Sequence, residues 1–166
     1  MARQLWLLRH GDAEPHGTRP DSDRELTDRG IAQSRAAGVA LRELGVEFEL
    51  VLYSPKVRAR QTAEVAAEAW SERQRARMSP HPPLASDFGA AEALDALAGL
   101  EADARLLLVG HEPDMSGIVA GLGGGTVDMK KGGVAALRLD GPAGELLVLL
   151  RPRELALIAG VPAGGQ

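Results

Sequence analysis

The 166-residue chain has 45% hydrophobic and 25% charged residues, the balance of a globular protein long enough for a sizeable core and short enough for one domain, 1–166. It contains no cysteine, which excludes disulfides, thiolate catalysis and cysteine-ligated zinc. Its formal net charge of -4 argues against non-specific binding to nucleic acid or to an anionic membrane, and no apolar run is long enough to span a bilayer.

In chain order, QLWLL (4–8) is a strand buried on both faces. A loop rich in Gly, Pro and Asp follows, and Thr27 is placed to cap a helix over 28–44, with Ala32, Ala36, Val39 and Ala40 on one face and Gly45 as the stop. FELVLYS (48–54) is a second strand. Pro55 suits the first turn of one long helix over 56–76. Residues 78–86 form an extended connector and 88–100 a shorter helix. RLLLVG (105–110) is a third buried strand, and Pro113 is placed to start the helix after it. A flexible glycine-rich loop (123–133) leads to two strands flanking DGPAG, a hairpin signal. A short helix over 152–160 and a loose tail close the chain. Strands alternating with helices predict an α/β fold: a three-layer α/β/α arrangement with a mainly parallel sheet and an antiparallel edge strand from the hairpin. With only 3% aromatic residues, the core falls to Leu, Val and Ala, and Trp6 and Trp70 are expected to pack in it.

Ligands in such sheets bind at the carboxyl ends of the strands. There the first strand delivers Arg9, His10 and Gly11. The second delivers Ser54, with Arg58 in the next helix's first turn. The third delivers His111. Two guanidiniums and two helix starts suit a phosphate group. A neutral imidazole can attack phosphorus if its other ring nitrogen is held by an acceptor such as a backbone carbonyl. A second imidazole, protonated, can stabilise charge on the phosphoryl oxygens. Gly11 would let the backbone turn tightly beside ring and phosphate. Alone, Arg9 or His111 would read as a solvated or capping residue; four such groups at three strand ends shift the balance. A metal held by His10, His111 and Asp12 ranks lower, because the arginines would repel a cation. His16 and His81 read as surface residues in Pro/Gly-rich loops. Lys130 and Lys131 read as a solvated pair, with screening of a substrate's charge as the alternative.

LLRHGDAE, SPKVRARQTAE and LVGHEPDMS, in this order and spacing, resemble the three signatures of the histidine phosphatase superfamily, with its phosphoglycerate-mutase-like fold. The resemblance implies that His10 is the phosphorylated nucleophile and that Arg9, Arg58 and His111 complete the phosphate pocket. The small size and the DRELTDRG stretch are most similar to the SixA-type phosphohistidine phosphatases. That match places Arg24 near the site entrance, in substrate binding, with a surface salt bridge as the competing role. Many members of the superfamily also carry a general acid, usually glutamate, after the second helix. Here that region offers only Asp87, more simply a helix cap or turn residue, and Glu92 further on. Phosphohistidine can leave as a neutral imidazole once its other ring nitrogen is protonated, so a positioned acid matters less for it than for an alkyl ester. The expected activity is metal-independent hydrolysis, without a cofactor, through a phosphohistidine intermediate on His10, with protein phosphohistidine as the leading substrate of the phosphorylated proteins and small phosphorylated molecules the family acts on. A small-molecule phosphomonoesterase is the alternative, ahead of a mutase, which the absent acid and the short segment disfavour, and of a non-catalytic phosphate-binding module, which would not need His10. Neither nucleic acid nor membrane is expected as a partner. No signal segment is apparent, so a cytoplasmic location is the default.

Overall fold

The computed structural model describes residues 2–162; the last four residues of the expected tail lie outside them. Strand β1 (Arg3–Arg9) leads through a loop with a 3-10 turn at Asp21–Asp23 into α1 (Asp28–Glu43). Then come β2 (Leu50–Tyr53), α2 (Val57–Ala67), α3 (Glu72–Arg75), β3 (Met78–Pro80), α4 (Ala90–Ala98), β4 (Arg105–Gly110) and α5 (Asp114–Gly121). The hairpin β5 (Val134–Asp140) and β6 (Ala143–Leu150) precedes α6 (Pro152–Ala159). One six-stranded sheet runs β3-β2-β4-β1-β5-β6. The first four strands are parallel, β5 is antiparallel to β1, and β6 pairs antiparallel with β5. The strand that runs against the others is thus β5, one place in from the edge.

Alternation of side chains along the strands divides the core in two. Leu5, Leu7, Leu106 and Leu108 pack on the face shared with Ala93, Leu97, Met115 and Ile118 of α4 and α5. Trp6, Leu8, Leu107 and Val109 pack on the other, with Ala37 and Leu41 of α1, Ala63 and Ala66 of α2, and Leu155 of α6. The three layers are those expected. Trp6 and Trp70 are both buried, each edge-on to Phe48, at 6.1 and 5.8 Å between centroids.

Several elements depart from the sequence reading. The long helix over 56–76 is broken between α2 and α3. Trp70 turns inward, its indole donating to the Gly38 carbonyl at 3.1 Å, and Ser71 offers a new N-cap, accepting from the Gln74 amide. The extended connector contains β3, paired parallel with β2, and a 3-10 turn that buries Leu84. On α1 the buried face is wider than expected and takes in Gln33, Ser34, Ala37, Gly38 and Leu41. The helix is packed against both the sheet and α2, so closely that a Cβ on Gly38 would lie 2.0 Å from the Ala66 carbonyl oxygen. The expected cap holds: Thr27 Oγ1 accepts from Gly30 N at 3.1 Å. Neither Pro55 nor Pro113 lies within a helix; each sits just ahead of one.

The topology fixes where a ligand would go. From β1 the chain crosses over β4 to β2 by way of α1, on one face of the sheet. From β4 it crosses β1 to reach β5 by way of α5, on the other face. Neighbouring parallel strands whose connections leave in opposite directions open a crevice at their carboxyl ends, and β1 and β4 are those strands.

Candidate active site

Arg9 pairs in register with Gly110, so the next residue of each strand, His10 and His111, stands at the mouth of that crevice. Their ring centroids are 5.2 Å apart. Both side chains are buried. His10 Nδ1 lies 2.7 Å from the Gly11 carbonyl oxygen; a carbonyl only accepts, so Nδ1 carries the proton and Nε2 the lone pair. Burial pushes the His10 pKa down to about 3, with Arg58, Arg9 and Lys131 acting in the same direction and the Gly11 carbonyl opposing them. His111 is likewise pushed down to about 3, chiefly by burial and then by His10, Arg58 and Lys56. The unliganded site therefore holds two neutral imidazoles, and the expectation of a protonated second histidine does not apply to this state.

His111 Nε2 lies 2.8 Å from Ser54 Oγ, and Ser54 Oγ accepts from the Lys56 amide at 3.2 Å. Arg58 is buried at the start of α2; its Nη1 donates to the Asp21 carbonyl at 2.7 Å and its Nη2 reaches Asp21 Oδ2 at 3.4 Å. Arg9 Nη1 donates to the Met129 carbonyl at 2.9 Å. Among the described residues, three buried side-chain nitrogen or oxygen atoms have no hydrogen-bond partner: Arg9 Nε, Arg58 Nε and His111 Nδ1. Buried polar atoms are ordinarily satisfied. All three exceptions belong to residues singled out from the sequence, and together they leave a set of nitrogens without an acceptor around one crevice.

The sequence profile described as histidine phosphatase superfamily (branch 1) matches residues 5–104. The chain belongs to the histidine phosphatase superfamily. The matched span holds Arg9, His10 and Arg58 and ends before His111. The phosphohistidine phosphatase SixA of Escherichia coli is 36% identical over 120 residues, 72% of this chain and 73% of that protein. A solved structure of the protein histidine phosphatase SixA complexed with tungstate superposes with a TM-score of 0.79 at 31% identity, covering 92% of this chain and 99% of that one. A phosphoglycerate mutase from Bacillus anthracis shares the fold at a TM-score of 0.71 and 14% identity, over 95% and 96% of the two chains. This is a SixA-like member of the superfamily, a phosphatase.

The remaining residues of this histidine phosphatase fall into place around the pocket. Gly11 has no positive φ, so a left-handed turn does not explain it. Close approach does: a Cβ there would lie 2.6 Å from the Gly30 carbonyl oxygen, and a Cβ on Gly30 would lie 2.0 Å from the Asp12 carbonyl oxygen. The pair lets the first turn of α1 seat directly behind His10. The Gly11 amide is committed to Thr62 Oγ1 at 3.1 Å, and Thr62 donates to the Arg58 carbonyl at 2.7 Å. Arg24 is buried rather than a surface residue. Its Nε and Nη2 donate to Asp21 Oδ1 at 3.1 and 3.0 Å, and its Nη1 to the Glu14 carbonyl at 2.6 Å. Arg24 thus braces Asp21, and Asp21 in turn holds Arg58.

The candidate acids are otherwise occupied or exposed. Asp87 is exposed and adopts φ 57, a left-handed conformation that Asp tolerates in turns; the helix cap is Gly89 instead. Glu92 accepts from the Gly89 amide at 3.3 Å. Of the two surface histidines, His16 is exposed, whereas His81 is half-buried and packs edge-on against Phe88 at 5.8 Å. Lys130 pairs with Asp128 and Lys131 with Asp12. The loop over 123–133 is tied down at its end: Gly132 N donates to the Arg9 and His10 carbonyls, and Met129 is buried.

Sequence reasoning passed over Ser54 as a partner of His111, and over Thr62, Asp21 and Gln33, whose Oε1 accepts from the Asp12 amide at 2.8 Å. Thr62 and Gln33 carried a legible signal, as single polar residues among the small apolar positions of a buried helix face. Asp21 carried none, because its role depends on a loop folding over α2.

Proposed function

We propose that this histidine phosphatase hydrolyses protein phosphohistidine through a phosphoryl intermediate on His10, without a metal or other cofactor. The observation that carries the reading is the coincidence of the three unpartnered nitrogens with a histidine whose Nε2 bears the lone pair. A phosphoryl group in the crevice would supply the missing acceptors, with Arg9 and Arg58 balancing its charge. Ser54 accepts from the Lys56 amide and can donate to His111 Nε2, which leaves the His111 proton on Nδ1 as one more donor. Tungstate, bound in the SixA structure, is a tetrahedral oxyanion of the same kind.

In the first step His10 Nε2 forms a bond to phosphorus and the bond to the substrate's imidazole nitrogen breaks, the leaving imidazole carrying a proton on its other nitrogen. In the second step water attacks phosphorus, the P–Nε2 bond breaks and phosphate departs. Because Nδ1–H stays on the Gly11 carbonyl throughout, His10 leaves as a neutral imidazole and needs no further proton. Gly11 contributes its carbonyl to this arrangement, and Arg24 acts as a positioning residue through Asp21.

The preference for a P–N bond rests on the carboxylates around the pocket. Burial raises the Asp12 pKa, but the Thr27 hydroxyl and Lys131 outweigh it and hold the group below its ordinary value. At Asp21, burial is likewise outweighed by Arg24, Lys56 and Arg58, which hold the carboxyl well below the usual range. Both are ionised at neutral pH and have no proton to give an alkoxide. Removing a general acid costs on the order of 100- to 10,000-fold. Phosphohistidine peptides, phosphoramidate and aryl phosphates should therefore be hydrolysed faster than alkyl phosphates by a factor in that range, with chelator present. Asp87→Asn should leave every rate unchanged. Efficient hydrolysis of an alkyl phosphate, lost selectively in Asp87→Asn, would favour a small-molecule phosphomonoesterase; activity lost on chelation and restored by zinc or manganese would restore the metal reading.

A further inference from the structure

A cavity of about 500 Å³ opens beside the phosphate crevice, between α1, the end of the 123–133 loop and the start of α6, and is lined by Arg9, Arg29, Lys130, Lys131, Arg151 and Arg153. Its floor is apolar, made by Ala32, Ala36 and Ala156, and its one acidic lining residue is Asp12. Lys131 pairs with Asp12, Lys130 with Asp128 and Arg151 with Glu154. Six cations against these three carboxylates and Glu112, whose charge acts on Arg9, leave a local excess of two positive charges on a chain whose net charge is -4. Arg29 and Arg153 make no salt bridge or side-chain hydrogen bond among the described residues, and both are exposed at the rim.

The placement of these two arginines runs against helix electrostatics. Arg29 is the second residue of α1 and Arg153 the second of α6, positions where the helix dipole favours an anion and disfavours a cation. Neither arginine is explained by the stability of its own helix. Both helices start at the sheet edge that bears the phosphate crevice, and Arg9 and Asp12 belong to the cavity and to the loop carrying His10. A ligand whose phosphoryl group lies against His10 therefore extends into the cavity over a short span.

We propose that this cavity is a recognition subsite for carboxylate-bearing residues flanking the phosphorylated residue of a protein substrate. The inference rests on the phosphohistidine reading above and deepens it. The cationic residues come from four segments of the chain and line one hollow of about 500 Å³. A hollow of that size, with charges drawn from four segments, suits several carboxylates on a peptide better than one compact anion. The apolar floor takes the aliphatic parts of such side chains, while the rim arginines meet their carboxylates and steer the approach of an acidic surface.

The test compares two phosphohistidine peptides, one flanked by Glu and Asp and one by Gln and Asn, on the wild-type protein and on Arg29→Glu/Arg153→Glu, with phosphoramidate as a substrate that has no flank. The wild type should show a KM about tenfold lower for the acidic peptide, a preference that fades as salt is raised. The double variant should lose the preference with kcat unchanged and phosphoramidate hydrolysis intact, and Arg29→Gln/Arg153→Gln should fall between. Equal KM values for the two peptides on the wild type, or an undiminished preference in the double variant, would overturn the proposal. Should neither peptide be hydrolysed while phosphoramidate is, the phosphohistidine reading fails on its own. The subsite then stands if an unphosphorylated Glu-rich peptide inhibits phosphoramidate hydrolysis by the wild type and not by the double variant, and falls if it inhibits neither or both.

Discussion

At the amino edge of the sheet, Arg3 donates to the Leu100 and Glu101 carbonyls, Arg105 to Gln4 Oε1 and Arg138 to Glu145. At the carboxyl edge, Arg9, Arg58 and His111 each keep a buried nitrogen with no acceptor. The same residue types thus meet opposite fates on one scaffold. An unsatisfied buried polar atom costs about 1–3 kcal/mol, so the carboxyl edge is held at a disadvantage that a bound oxyanion would remove. The amino edge is complete as it stands. The contrast supports the proposed site by energetics, apart from any resemblance.

The contrast breaks most sharply at the nucleophile. His10→Ala should lower kcat/KM on every substrate by at least about 1,000-fold, as expected when a covalent nucleophile is lost, whereas Arg138→Ala at the opposite edge should leave steady-state kinetics unchanged. Next in size is Arg58→Ala. Loss of one pre-organised donor to the phosphoryl oxygens typically costs about 100- to 1,000-fold, and kcat should bear more of it than KM, because the interaction strengthens in the transition state. Near-wild-type turnover in Arg58→Ala would sink the claim that its free nitrogen awaits the substrate.

A smaller effect sharpens the role of Ser54. Ser54→Ala removes the group that orients His111 without touching the pocket itself, and kcat should fall by about tenfold, the scale of one neutral hydrogen bond. Ser54→Thr, which keeps the hydroxyl, should recover part of the loss. A loss in Ser54→Ala as large as that in His111→Ala would contradict this modest positioning role.

The last contrast concerns pH and stability rather than rate. His10 and His111 are held near 3 in the folded chain against an ordinary value of 6.5. Between those values the unfolded chain binds protons that the folded one does not, so stability is fully present above about pH 6.5 and is lost as pH falls toward 3. Chemical denaturation from pH 7 to pH 4 should show this decline, and a His10→Gln/His111→Gln variant should flatten it. For kcat/KM the free-protein value governs, so no acid limb from His10 should appear between pH 5 and 7 once the substrate's own ionisation is allowed for.

Much of this was legible in the sequence. Buried Leu and Val runs ending in Arg9-His10-Gly11, Ser54 and Gly110-His111 marked three strand ends, and the alternation of strands and helices placed them on one edge. Three kinds of feature were not legible. The break at Trp70 depends on where an indole finds room against Phe48, which helix propensity does not encode. The spacing between Gly11 and Gly30 is a contact between two segments, and each glycine alone reads as a turn. The neutral His111 of the unliganded site depends on burial first, and then on the neighbouring His10 ring at 5.2 Å and on Arg58 and Lys56, surroundings that strand-end position alone does not encode. Arg24 shows the same limit: the motif brought it to the site, and only the loop's fold shows its guanidinium committed to Asp21 and Glu14.

The central claim is that the phosphoryl group passes through His10 Nε2, and rapid-quench trapping during turnover of phosphoramidate tests it most directly. The quenched protein should carry acid-labile, base-stable phosphate on His10 alone, at the Nε2 position, formed at least as fast as turnover. Full turnover with no label on His10, or label at Nδ1 in place of the nitrogen left free by the Gly11 carbonyl, would contradict the account.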